Sequence, residues 1–222
     1  MSEKNPLGLK KIHHVEFYVG NAKQAEYYYR KAFGFSRAAY SGLETGNRET
    51  TSYLMRQNRV NFVLTTPLSP EHPAAEHIKQ HGDGVRDIAF QVEDADHAFS
   101  ESVKRGATPV AEPRDLSDDN GKVRHAAIAT YGDTIHSFYS YRDARDIKRA
   151  GNGNGTKSSP PVLGGMAAAS ADGVVMGKAG SYEYTGVFLP GFEVQDVAGE
   201  EVGIQLVDHI VGNVELGKMN YW

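Results

Sequence analysis

Two strand-like runs 73 residues apart constrain the fold of this chain more than any other feature. They are His13-His14-Val15-Glu16-Phe17-Tyr18-Val19 and Arg86-Asp87-Ile88-Ala89-Phe90-Gln91-Val92, which align with His14 above Asp87. A third run, Asp208-His209-Ile210-Val211-Gly212-Asn213-Val214, places His209 in the same column, 122 residues beyond Asp87. If roughly 40 of the intervening residues are an insert, the third spacing falls to about 80 and the repeat is nearly constant.

Each of the first two runs leads into a helix with readable ends. Asn21 is the expected N-cap of the first, with Gln24 three residues on and Gly34 at the close. Asp94 and Gly106 bracket the second. Ala25, Tyr28, Tyr29, Ala32 and Phe33 make an apolar stripe at helical spacing, and Ala95, Ala98, Phe99, Ser102 and Val103 a weaker one. Three strand-like segments follow each helix: 35–40, 50–56 and 60–65, then 108–112, 123–130 and 135–141. Turn signals such as Gly46-Asn47 and Asp118-Asp119-Asn120-Gly121 separate them. The fold class is therefore α+β, with tandem βαβββ units. One unit alone leaves a sheet face bare, so two should join into a curved, half-open barrel with the helices outside.

The rest of the composition excludes several classes. Lys+Arg total 24 against Asp+Glu 28, a net charge of −4, and no basic block offers a footprint for nucleic acid. No apolar run approaches the ~20 residues of a membrane span, and the N-terminus lacks a secretory signal, so a cytoplasmic protein is expected. With zero cysteines, any metal needs His and carboxylate ligands. Residues 151–191 hold ten of the 24 glycines and four charged side chains, which predicts a flexible linker open to proteolysis.

The doubled unit resembles the vicinal oxygen chelate (glyoxalase-like) superfamily. Five segments narrow the resemblance to the 4-hydroxyphenylpyruvate dioxygenase family: residues 12–22, His81-Gly82-Asp83-Gly84 continuing to Phe90, Tyr131-Gly132-Asp133-Thr134, Phe188-Leu189-Pro190-Gly191-Phe192, and 208–214. It covers about residues 8–142 and 184–220. The resemblance implies a non-haem Fe(II) enzyme of tyrosine and phenylalanine catabolism, which converts the 2-oxo acid 4-hydroxyphenylpyruvate and O2 to homogentisate and CO2. It also implies an N-terminal pair of units without metal and a C-terminal pair holding Fe(II) through two histidines and a glutamate. By position His209 matches the first histidine ligand, and the other two would lie beyond Trp222. The expected domains are an N-terminal pair at 8–145, a Gly-rich linker at 146–201, and the start of the iron-binding domain at 202–222, opening with a strand at 208–214.

The other candidates read as structural. His13-His14 lacks a nearby carboxylate on the closing strand, which favours polar hydrogen bonding at a strand end over a metal. The remaining histidines, His72, His77, His81, His97, His125 and His136, are expected at the surface or in turns, with no spacing that gathers ligands on one helix face. Tyr27-Tyr28-Tyr29 should cover the sheet with one hydroxyl at the rim. The chain alone is expected neither to retain Fe(II) stoichiometrically nor to make homogentisate. A non-catalytic module that binds or forms a homo-oligomer is the alternative, and 4-hydroxymandelate synthase is the close alternative within the enzyme reading.

Overall fold

The computed structural model of the chain describes residues 4–141 and 184–221. Its first unit runs β1 (Leu9–Tyr18), α1 (Ala22–Phe33), β2 (Ser36–Ser41), β3 (Thr50–Gln57) and β4 (Val60–Pro67). A short helix, α2 (Pro73–His81), leads to the second unit: β5 (Gly84–Val92), α3 (Ala95–Lys104), β6 (Pro109–Asp118), β7 (Gly121–Ala129) and β8 (Ile135–Ser140). A last strand, β9 (Glu193–Val197), closes the order β6-β7-β8-β5-β1-β4-β3-β2-β9 of one open, curled sheet. The expected βαβββ pair is present.

The 73-residue repeat is visible in the strand register. Antiparallel β1 and β5 join the two units, and Val15 pairs with Ile88, its own counterpart in the repeat. His14 opposite Ala89 and Glu16 opposite Asp87 are then symmetric pairs about a pseudo-twofold axis. Each opening strand also lies parallel to the closing strand of its unit, β1 to β4 and β5 to β8.

Local chemistry sets the helix ends. The Asn21 side chain accepts from the Gln24 amide at 3.0 Å, and that of Asp94 from the His97 amide at 3.0 Å. α1 closes on Gly34 with φ 69°, where a Cβ would also stand 1.9 Å from the Glu200 carbonyl oxygen. Gly34 thus meets two demands, a left-handed turn and a close crossing of the C-terminal segment. Gly34→Ala is expected to cost about 1–2 kcal/mol from the backbone alone, and more from displaced 199–201, measured as a lowered urea midpoint.

The buried face of α1 differs from the apolar stripe. Ala22 and Glu26 are buried, and Tyr29 packs with Phe17, Phe35 and Phe62. Tyr27 and Tyr28 are 58% and 57% exposed, so they do not cover the sheet. Glu26 can be buried because Arg30 caps its carboxylate at 2.7 Å. β6 runs to Asp118, well past the expected stop at 112. It is an edge strand, and Pro113 lies at a register shift, where a missing N–H costs no ladder bond.

Three apolar clusters form the core of the described residues. α1 covers one around Phe35, Met55 and Leu64, and α3 covers another around Phe99, Ala126 and Phe138. The third, around Leu54, Val63, Ala89 and Tyr139, is covered by Tyr184, Phe188 and Leu189. Residues 184–197 fall within the stretch expected to be linker, yet they are packed here and end as β9 beside β2. Large side chains outweigh the loose composition there. The rest of that stretch, 146–183, with the proteolysis expected at 151–180, lies outside the described residues.

Candidate functional site

His13 and His14 belong to a polar cluster at the centre of the sheet. Neighbouring residues of a strand normally face opposite ways, but a register shift between Ile12 and His14 sets two residues of β1 against one of β5. Both imidazoles are consequently buried together, Nδ1 to Nδ1 at 2.7 Å, and His13 Nε2 lies 2.6 Å from the Tyr141 hydroxyl. Phe188 stacks on His13 at 5.2 Å and stands edge-on to His14 at 5.2 Å.

Burial dictates the ionisation of this cluster. It holds His13 well below its ordinary pKa, with His14 adding to the effect, and brings His14 down to about 3 and His125 to about 4. The same desolvation raises Asp87 to about 7, against the hydrogen bonds it accepts from Ser137, and raises Glu16 despite the Thr65 hydroxyl 2.6 Å away. Neutral imidazoles beside reluctant acids make a hydrogen-bonded core, with Phe188 packed over both rings. Among the described residues, no three donors of this cluster lie close enough together for one ion.

A second group does converge. α2 places His77 and His81 on one face, and the turn between β7 and β8 supplies Asp133. His77 Nδ1 lies 2.9 Å and His81 Nε2 3.1 Å from the same Asp133 Oδ2. The expectation that the remaining histidines show no shared helix face is therefore wrong for this pair, and His77 and His125 are buried rather than superficial. The spacing of four was legible, as was Pro73 after a capping His72 whose side chain accepts from the Ala74 amide. The helix gives a weak sequence signal because it is short and mostly polar. Partial burial would raise the Asp133 carboxyl, but the His77 hydrogen bond and both imidazoles bring it below its usual range.

His209 stands apart. Its side chain is 76% exposed, and Nδ1 meets only the adjacent Asp208, at 2.7 Å. The expected strand at 208–214 is absent; the run is irregular and mostly exposed. The preceding residues are tethered, through Arg59 N–H to the Gln205 carbonyl and Ile204 N–H to the Gln57 side chain. A strand needs a neighbour to take its backbone hydrogen bonds, and 208–214 has none among the described residues. Among those residues no third donor joins His209 and Asp208, so they do not by themselves fit an Fe(II) site.

Residues 3–148 match the family model described as hydroxyphenylpyruvate dioxygenase, N-terminal. The chain belongs to the hydroxyphenylpyruvate dioxygenase family. It is 37% identical over 208 residues to the 4-hydroxyphenylpyruvate dioxygenase of Dictyostelium discoideum, covering 90% of this chain and 46% of that protein. With the Danio rerio protein of the same name it shares 48% over 131 residues, 59% of this chain and 33% of that one. The chain thus spans about half the length, or less, of the curated relatives it matches. Among solved structures it is similar to a triple mutant of 4-hydroxymandelate synthase from Streptomyces coelicolor, with TM-score 0.57 and 27% identity over 59% of this chain and 38% of that one. A methylmalonyl-CoA epimerase from Mycobacterium tuberculosis, at TM-score 0.50 and 17% identity over 60% of this chain and 89% of that one, shares the fold alone. Within this family fold, no helix among the described residues is long and apolar enough to cross a membrane.

Proposed function

We propose that this chain is the N-terminal half of a cytoplasmic, iron-dependent 4-hydroxyphenylpyruvate dioxygenase and acts as a folded scaffold for the half that performs the chemistry. The observation that carries this reading is the alignment with proteins of that name across nine-tenths of this chain but under half of theirs. The reaction of the whole enzyme is the conversion of 4-hydroxyphenylpyruvate and O2 to homogentisate and CO2. Relatives of that name reach 48% identity to this chain, which supports that reaction as the one the whole enzyme performs.

In this reading residues 8–145 form the domain without the catalytic iron, the segment beyond it connects, and 202–222 begin the catalytic half. The 208–214 run becomes a strand once that half supplies its neighbour, and His209 then serves as the first iron ligand. The exposure of His209 here supports that role, since its ring is bonded only to the likewise exposed Asp208 among the described residues. Substrate-dependent O2 uptake provides the test. The 222-residue chain should show none after anaerobic addition of Fe(II) and desalting, and should hold no stoichiometric iron. A chain extended by the C-terminal pair of a relative should turn over, and His209→Ala in it should lower the rate at least ~100-fold. Turnover by the 222-residue chain, or an unaffected His209→Ala variant, would overturn the proposal. A folded, inactive homo-oligomer that no C-terminal half activates would favour the binding-module alternative.

A further inference from the structure

We propose that His77, His81 and Asp133 form a binding site for one late first-row divalent cation, typified by Zn(II) or Co(II), separate from the His209 segment. The three donor atoms lie within 4.8 Å of one another, and both imidazole nitrogens already sit 2.9–3.1 Å from one carboxylate oxygen. Donors bound at about 2.0–2.2 Å around one ion are themselves separated by roughly 3–3.5 Å. The ion therefore needs a slight opening of the two nitrogen–oxygen contacts and a closing of any donor pair near the 4.8 Å limit, and it replaces the two N–H protons that now bridge to Asp133.

The surroundings hold the donors in place. The side chain of His77 is 6% exposed, with the Tyr18 ring edge-on at 5.4 Å, so its position is set by packing. Its Nε2 is buried with no hydrogen-bond partner among the described residues, so none of them on that side locks the ring in the tautomer that donates from Nδ1. The ring can give its Nδ1 lone pair to a cation and keep its proton on Nε2. His81 comes from the next turn of the same helix, and Asp133 from a turn 52 residues away in sequence.

Beside the triad lies an open pocket of about 260 Å³, lined also by Tyr18, Glu76, Gln80 and Arg86. It leaves space for the remaining coordination positions to be filled by water or a small anion. Two imidazoles and one carboxylate favour Zn(II), Co(II) or Ni(II), while Fe(II) lies lower in the affinity order. The Arg86 charge and the lack of a hydrogen-bond partner at His77 Nε2 both limit affinity, so Fe(II) should be lost on desalting. The bound ion would tie α2, which connects the two units, to the β7–β8 turn of the second.

The 222-residue chain should bind one equivalent of Co(II), seen as visible d–d absorption that Zn(II) displaces, and Zn(II) should raise its melting temperature. His81→Ala and Asp133→Asn should each weaken binding at least ~10-fold and abolish the thermal shift. His81 is 47% exposed, so its truncation leaves the metal-free fold intact, and an unchanged metal-free urea midpoint verifies this. That variant decides the matter alone if Asp133→Asn fails to fold. His209→Ala should bind as the parent does, which separates this site from the proposed iron ligand. No saturable binding by the parent chain, binding equally tight in His81→Ala, or binding lost only in His209→Ala would overturn the proposal.

Discussion

Phe188→Ala is expected to destabilise the chain by about 3–5 kcal/mol, the range for emptying a packed phenylalanine site. The ring is 1% exposed, lies over both His13 and His14, and meets Phe192 edge-on at 5.2 Å. Its own carbonyl accepts the Tyr141 hydroxyl at 3.3 Å. Truncation removes the apolar cover from the concave face and lets water reach imidazoles whose neutrality depends on burial. Total stability of a domain is only about 5–15 kcal/mol, so the variant should sit near its unfolding threshold at room temperature. Urea unfolding of the variant beside the parent would measure this, with amide exchange of β1 and β8 as a local probe. A loss below about 1 kcal/mol would show that residues 184–192 behave as the linker their composition suggests.

The second large effect is a pH dependence that Asp87 controls. Burial raises its carboxyl from the ordinary 3.8 to about 7. The folded state therefore keeps the proton more readily than the unfolded chain. Asp87 contributes stability that is complete below about pH 4 and is lost as pH rises through about 7. His14 and His125, lowered from 6.5 to about 3 and about 4 by burial, act in the opposite sense. Their contribution is present above about pH 6.5 and is lost on acidification, because the unfolded chain takes up those protons first.

Asp87→Asn keeps an oxygen for the Ser137 N–H, which donates to Oδ1 at 3.0 Å, and removes the titration. The stability of the variant relative to the parent should rise by about 4 kcal/mol between pH 4 and pH 8, since each tenfold difference in proton affinity between the folded and unfolded carboxyl is worth ~1.4 kcal/mol. Between pH 6.5 and 4 the variant should lose stability more steeply than the parent, since Asp87 no longer offsets the loss of the histidine contributions. Urea midpoints across pH 4–8 would check both slopes. A parent-to-variant difference that stays flat over that range would mean that Asp87 is charged in the folded chain.

Local chemistry made much of this legible in the sequence. A β-strand alternates and a helix repeats near 3.6, so both units could be read from periodicity. The Asn21 and Asp94 caps lie within three residues of the amides they serve, and the Asp118–Gly121 hairpin turn within four positions. The 73-residue offset matches the register of β1 on β5, where Val15 meets Ile88. The resemblance carried by short ordered motifs pointed to the family for the same reason: each motif is contiguous.

The tertiary structure decided what depends on distant neighbours. The β1 bulge that turns His13 and His14 inward together exists only against β5. Glu26 is buried on α1 because Arg30 accompanies it and the sheet lies beneath, an arrangement a hydrophobic stripe does not encode. The segment around Phe188 is glycine-rich, but a few large rings with a concave face to fill outweigh its average composition. Conversely, 208–214 has the pattern of a strand and lacks a partner for its backbone groups, so it stays irregular. The His77–His81–Asp133 group depends on both scales. The histidine spacing belongs to one short helix, whereas the carboxylate reaches it only because the sheet folds the β7–β8 turn back across α2.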